Sequence, residues 1–200
     1  MIGRFPSLKM GRMIAFESLI EQDCLFLLDF DPDVLALAEQ PVQIEYIWEG
    51  KERHYTPDFH VIRKTGEEFI ECKPQKMVHS DENQRKFKIA REWCEGQGWH
   101  FRVVTDDEIR AGNRLNNIKL LTRHARICIP PGLLQQVNLT LQGILYPRSL
   151  LEVAKLVLPD DFDRGVSILL HLAYHHQIQL RLDQEPITAK TIIQSSKYSG

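Results

Sequence analysis

No apolar run in the 200-residue chain approaches the roughly 18 residues that a membrane-spanning helix needs. The opening MIGRFPSLKMGRMIAF also lacks the uninterrupted apolar centre and the cleavage pattern of a secretory signal. Together these absences predict a cytosolic protein. Cysteine is scarce: Cys24, Cys72, Cys94 and Cys128 are too widely scattered for a zinc knuckle or a redox pair, which predicts buried, reduced thiols. Nothing repeats, and no segment is of low complexity. The formal net charge of −2 argues against a chain coated in positive charge. The most local absence is of acid. Residues 1–105 carry 14 basic and 18 acidic side chains, yet Ile109 to Leu151 holds no Asp or Glu at all. Arg110, Arg114, Lys119, Arg123, His124, Arg126 and Arg148 lie in that stretch. They suit either a surface for a polyanion or a solvated face docked against the more acidic first half.

What is present is the balance of an ordinary globular protein, 43% hydrophobic and 26% charged, with length for one or two domains and a sizeable core. Leu19, Ile20, Cys24, Leu27 and Leu28 recur at helical spacing and predict a helix over Phe16–Phe30, closed by Asp31-Pro32-Asp33. VQIEYIW from Val42, RHYTPDFHVI from Arg53 and EFIECK from Glu68 to Lys73 read as strands. Turns at Glu49-Gly50-Lys51 and Lys64-Thr65-Gly66 would join them into an antiparallel meander. Ser80-Asp81-Glu82 caps a second helix with acids in its first turn, and HFRVVT follows as a fourth strand. The predicted order is αβββαβ, ending near Thr105. Helical stretches at 109–123, 132–143, 148–158 and 162–176 come next. IQLRLD and ITAKTIIQ around Gln184-Glu185-Pro186 would then form a hairpin, which suggests a winged-helix module.

The chemistry concentrates in YTPDFHVIRKTGEEFIECKP. Strand side chains alternate with period two, so Asp58 shares a face with His60 and Ile62, and Glu71 with Phe69 and Lys73. The two carboxylates can therefore converge. Ionised carboxylates in the middle of a sheet are costly unless paired or bound to a cation. Lys73 supplies one counter-charge and a divalent metal the rest. Such a set suits phosphodiester hydrolysis: magnesium favours hard oxygen ligands and activates water, while a lysine orients the nucleophile or offsets charge developing on phosphorus. The carbonyl of Cys72 is a further candidate ligand. The bland alternative has Asp58 capping the turn after Pro57 and Glu71 pairing with Lys73 at the surface. Glu21 shares a helix face with Glu17, Cys24, Leu25 and Leu28; an acid beside that apolar strip is best explained by a metal, or else edges the helix in solvent. Lys76 and Lys88, with Arg123 of the acid-free stretch, are the candidate phosphate contacts. Arg85 and Lys86 join them, although charges on a helix more often form a solvated face. His171, His175 and His176 lack a third ligand at suitable spacing and read as histidines facing a helix C-terminus.

Pro57-Asp58, followed after twelve residues by Glu71-Cys72-Lys73, resembles the PD-(D/E)XK nuclease signature on its αβββαβ core. ESLIEQDCLFLLDFDPDVLALAEQP, YTPDF, ECKP and VVTDDEI, in that order over about the first 110 residues, resemble the TnsA endonuclease subunit of heteromeric Tn7-like transposases. The resemblance implies a catalytic helix glutamate, falling on Glu21 with Glu17 as the other choice, a metal-site aspartate at Asp58, a metal-site glutamate at Glu71 and a catalytic lysine at Lys73. It implies a catalytic domain over 1–108 and a winged-helix-like domain over 109–200 for DNA and partners. It further implies Mg2+, with Mn2+ as a substitute, and cleavage of the 5′, non-transferred strand at double-stranded transposon ends. The partners implied are a TnsB-like DDE transposase and a TnsC-like AAA+ ATPase. Two other readings stay open: a stand-alone restriction or repair nuclease of the same fold, and a non-catalytic DNA-binding adaptor.

Overall fold

A computed structural model of the chain describes residues 3–144 and 146–193. It divides into two compact units, Met1–Ala111 and Gly112–Gly200. No described helix is long and apolar enough to cross a membrane.

The first unit opens with an antiparallel hairpin of β1 (Gly3–Pro6) and β2 (Met13–Phe16). Helix α1 (Leu19–Phe30) follows and starts later than the apolar periodicity suggested, because the Ser18 hydroxyl caps it by accepting from the N–H of Glu21. Phe16, expected inside the helix, closes β2 instead. After the Asp31-Pro32 break come β3 (Val34–Glu39), β4 (Ile44–Trp48), β5 (Lys51–Tyr55), β6 (Phe59–Arg63) and β7 (Gly66–Lys73). Helix α2 (Asp81–Glu95), β8 (His100–Thr105) and the short α3 (Asp106–Ile109) complete the unit.

The meander expected of Val42–Trp48, Arg53–Ile62 and Glu68–Lys73 is not the one that forms. The main sheet runs β3-β6-β7-β8, with β6 antiparallel to both β3 and β7, and β8 parallel to β7. Pro57 cannot donate to a ladder, so RHYTPDFHVI splits into β5 and β6. β4 and β5 then pair only with each other, through a two-residue turn in which Glu49 and Gly50 both have positive φ, as the right-handed twist of a tight hairpin requires. β3 takes the edge of β6 that the meander assigned to Val42–Trp48. The order of one helix, three antiparallel strands, a helix and a parallel strand therefore holds, with β3 as the first strand and the β4–β5 hairpin inserted before the second. This mixed α/β arrangement is compatible with a nuclease-like fold.

The sheet is covered on both faces. On one, Ile70 and Cys72 face α1, where Cys72 meets Cys24. On the other, Phe69 stacks on His60 and meets Trp93 of α2 edge-on, while Phe87 of α2 packs on Phe101 of β8. The inserted hairpin rests on α2 as well: Ile44, Tyr55 and Ala90 form a buried cluster, and the Arg85 guanidinium lies 4.1 Å above the Trp48 ring.

The second unit contains α4 (Arg114–His124), α5 (Pro131–Gln142), β9 (Arg148–Ser149), α6 (Leu150–Val157), α7 (Phe162–Tyr174) and β10 (Ile192–Ile193). The helix expected over 109–123 breaks at Gly112, a position open only to glycine: φ is +61° and an added Cβ would lie 2.6 Å from the Asp183 carbonyl oxygen. α6 begins at a capping box of Ser149 and Glu152 rather than at Arg148. Of the hairpin expected from IQLRLD and ITAKTIIQ, Gln179 forms an isolated β-bridge and Ile192–Ile193 form β10, while Gln194, its last position, lies outside the described residues. Asn117 holds the segment between them. Its amide donates to the carbonyls of Leu182 and Glu185, both at 2.8 Å, and its side-chain oxygen accepts from the Ile187 N–H at 2.8 Å. Those bonds fasten the turn around Pro186, and β10 pairs with β9.

Candidate active site

The site grows from the register of β6 on β7. Phe59 stands opposite Ile70, so the next position toward the strand end brings Asp58 beside Glu71. Glu71 is 3% exposed. Its two oxygens are held by different donors: Lys73 Nζ lies 2.6 Å from Oε1, and the Tyr55 hydroxyl donates to Oε2 at 2.8 Å. Asp58 sits just before β6 and accepts from the Cys72 N–H at 2.7 Å through Oδ2. Asp58, Glu71 and Lys73 are thus brought together, as the alternation of the strands implied. The surface pairing of Glu71 with Lys73 is excluded by the burial of Glu71.

The electrostatics identify Asp58 as the strained member. Burial, then the neighbouring Glu71, push its carboxyl up to about 8, with Glu21 adding to the rise while the Cys72 N–H and Lys73 oppose it. Burial draws the Lys73 ammonium down, but Glu71, Asp58 and Glu21 outweigh it and leave its pKa above the ordinary lysine value. Burial first, and Glu71 second, hold the Tyr55 hydroxyl protonated. The Cys72 thiol is likewise raised, by its hydrogen bond with Cys24 and then by burial. Two close carboxylates, Glu71 buried and Asp58 half-buried, with one ammonium beside them offer hard oxygens that fit a divalent cation. Asp58 and Glu71 would hold such an ion, with the Cys72 carbonyl and water completing its shell.

Glu21 is placed differently from the expectation. It is 9% exposed, yet both its oxygens serve the start of α1: Oε1 accepts from the Ser18 hydroxyl at 2.7 Å and Oε2 from the Glu17 N–H at 2.7 Å. Its burial therefore has a capping explanation and does not by itself require a cation. Among the described residues, no three His, Cys, Asp or Glu side chains converge closely enough to hold a metal ion. The structure assembles two carboxylates, with Glu21 near enough to influence Asp58 electrostatically. Glu17 is exposed and accepts from the Gln40 side chain at 2.9 Å.

The candidate phosphate contacts scatter. Lys76 is exposed in a single 3-10 turn just after the site strand. Lys88 is exposed on α2 beside Glu92 at 3.9 Å, a solvated ion pair of small energetic weight. Arg123 is exposed in the last turn of α4, in the second unit. Two cations of the acid-free stretch are already paired, Arg110 with Asp23 of α1 at 2.8 Å and Arg114 with Asp183 at 3.3 Å. His171 and His175 direct their rings elsewhere, donating to the carbonyls of His124 and Ala125 at the end of α4, at 3.1 and 2.9 Å. They face a helix C-terminus, but that of α4 rather than their own.

Sequence reasoning missed two residues of the site. Tyr55 carried a signal: a tyrosine at the buried end of a strand needs a hydroxyl partner, and a carboxylate on the neighbouring strand is the natural one. Ser18 carried another, since Ser18-Leu19-Ile20-Glu21 has the spacing of a capping box.

Residues 31–106 match the family described as TnsA-like endonuclease N terminal. That span holds Tyr55, Asp58, Glu71 and Lys73, and leaves α1 with Glu21 outside. The head completion nuclease of enterobacteria phage T4 is 28% identical over 125 residues, covering 50% of this chain and 83% of that protein.

Proposed function

We propose that this chain is a metal-dependent DNA endonuclease with a restriction-endonuclease-like PD-(D/E)XK core, acting as the TnsA-type subunit of a Tn7-like transposase. In that role it hydrolyses the 5′, non-transferred strand at each transposon end, alongside a TnsB-like DDE transposase and a TnsC-like AAA+ ATPase. The observation that carries the reading is the pairing of half-buried Asp58 with buried Glu71, with Lys73 on one oxygen of Glu71. The family match over the same strands supports it.

A divalent cation, Mg2+ or Mn2+, held by Asp58 and Glu71 supplies Lewis acidity toward a phosphate oxygen and offsets the two carboxylates. The remaining work falls to the chain. Lys73, kept cationic by its acidic neighbours, orients the attacking water and offsets charge developing on the phosphorus oxygens. Glu71 fixes Lys73 in place. The Cys72 N–H fixes Asp58 in rotamer, so neither carboxylate has to reorganise as phosphate arrives. Glu21 contributes as a ligand only by releasing the cap of α1, and otherwise acts through its charge. Lys76 and Lys88 approach the DNA backbone from the first unit, and the second unit, with Arg123, contacts DNA and partner proteins.

Strand-specific cleavage of a transposon-end DNA by the reconstituted proteins in Mg2+ tests the reading, comparing the unmodified chain with Asp58→Ala. Loss of the 5′-strand cut alone is the expected result. Unchanged cutting of both strands would instead place the chain in an adaptor role. The second reading is a nuclease of the same fold that works alone, and cleavage by the purified chain without partners would select it.

A further inference from the structure

The inserted hairpin delivers one side chain to the site, and nothing in the chemistry above assigns it a role. Tyr55 is the last residue of β5, outside the main sheet, and 6% exposed. Its ring is fixed from two directions: it belongs to the buried cluster with Ile44 and Ala90, and it meets Phe101 edge-on at a ring distance of 6.4 Å. A ring held that way has only its hydroxyl to direct, and the hydroxyl donates to Glu71 Oε2 at 2.8 Å. Lys73 holds the other oxygen. With one donor on each oxygen, the Glu71 carboxylate is locked about its terminal torsion, a torsion otherwise broad and roughly two-fold. A carboxylate oxygen accepts along more than one lone-pair direction, so each oxygen keeps a direction free for a cation.

We propose that Tyr55 is a positioning residue for the metal site, orienting Glu71 so that its free lone pairs and those of Asp58 point at one cation. This inference rests on the proposed metal-dependent reading and adds to it the residue that aligns one ligand. Three backbone steps separate Tyr55 from Asp58, so the strand that supplies the positioning hydroxyl leads directly into the other ligand. Removing a hydrogen-bond partner of a metal-ligating carboxylate typically weakens metal binding by about 10–100-fold.

The test is calorimetric titration of the full chain with Mn2+ alone, for the unmodified protein, Tyr55→Phe, Asp58→Ala and Ile44→Val. Ile44 stands opposite Tyr55 in the hairpin, so Ile44→Val loosens the same packing while leaving the hydroxyl. The expected result is at least about tenfold weaker Mn2+ binding for Tyr55→Phe and near-native binding for Ile44→Val. Loss of binding in Asp58→Ala with native affinity in Tyr55→Phe overturns this inference alone, and native affinity in Asp58→Ala overturns the metal-site reading beneath it. Equal weakening in Tyr55→Phe and Ile44→Val assigns the effect to packing and also overturns the inference. Should Tyr55→Phe fail to fold, tyrosine difference absorbance of the unmodified protein on adding Mn2+ reads the contact directly. A change that Asp58→Ala abolishes is expected; a flat spectrum with metal bound overturns the proposal.

Discussion

The two units treat buried polarity in opposite ways. Among the described residues, Met1–Ala111 buries Glu21, Asp23, Asp29 and Glu71, whereas the only polar side chain buried in the second unit is the neutral Asn117. Each buried acid of the first unit has its own remedy. Asp29 takes the Ser7 hydroxyl and the N–H groups of Leu8 and Lys9. Asp23 takes Arg110, Glu21 caps α1, and Glu71 is held between Tyr55 and Lys73. Asp58, half-buried beside them, is compensated only by one N–H and by the shared Lys73, and its carboxyl is pushed up to about 8. Polarity in the second unit fastens a loop, while polarity in the first gathers negative charge at one point and leaves it unbalanced. Structural acids come with partners; the acid without a full set marks the site.

Breaking the contrast at its sharpest point produces the largest effect. Asp58→Ala is expected to reduce cleavage by roughly a thousandfold or more, measured as strand-specific product in the reconstituted reaction. Asp58→Asn keeps an acceptor for the Cys72 N–H but removes the charge, and should raise metal-free stability, on the order of 1–3 kcal/mol near neutral pH, while cleavage is lost. Thermal melts in chelator check this, and a lowered midpoint would contradict the account of Asp58. In the second unit, Asn117→Ala strips partners from three backbone groups and should destabilise by about 3 kcal/mol with Mn2+ affinity unchanged, read by denaturant melts and calorimetry.

The pH dependence sharpens the same comparison. Asp58 titrates higher folded than unfolded, so the folded state binds the extra proton. Its contribution to stability is fully present below about pH 4 and is lost as pH rises toward about 8. Metal-free midpoints should fall across that window, and Asp58→Asn should flatten the slope. Glu39 behaves oppositely. Held first by the Arg12 side chain at 2.8 and 2.7 Å, its carboxyl is lowered to about 2, so its contribution is present above about pH 4.5 and disappears as pH falls toward 2. Glu39→Gln is the smallest expected effect, about 1 kcal/mol or less, because the pair is partly exposed. Acid titration of the midpoint distinguishes it.

The order of elements in the first unit was legible because α1, β7, α2 and β8 have strong local signals: apolar periodicity, an acidic first turn, β-branched residues and terminating glycines. β3 was not, since VLALAE has the composition of a helix and becomes a strand only by pairing with β6, a tertiary effect. The convergence of Asp58 and Glu71 followed from period-two alternation alone, which survives a wrong assignment of the neighbouring strand. The place of Glu21 did not, because helical spacing says which face a carboxylate occupies and not which donors reach it first. The turn around Pro186 was legible only as a bend, because the side chain that fastens its backbone, Asn117, lies some 70 positions away in sequence.

The β4–β5 hairpin has one further consequence, which is mechanical. Its base is anchored through Ile44 and Tyr55, while Ile47 near its tip is 76% exposed and the Glu49–Gly50 turn is solvent-facing. The hairpin is a lever with a fixed fulcrum: its outer arm can change length or sequence without shifting the two residues at its root.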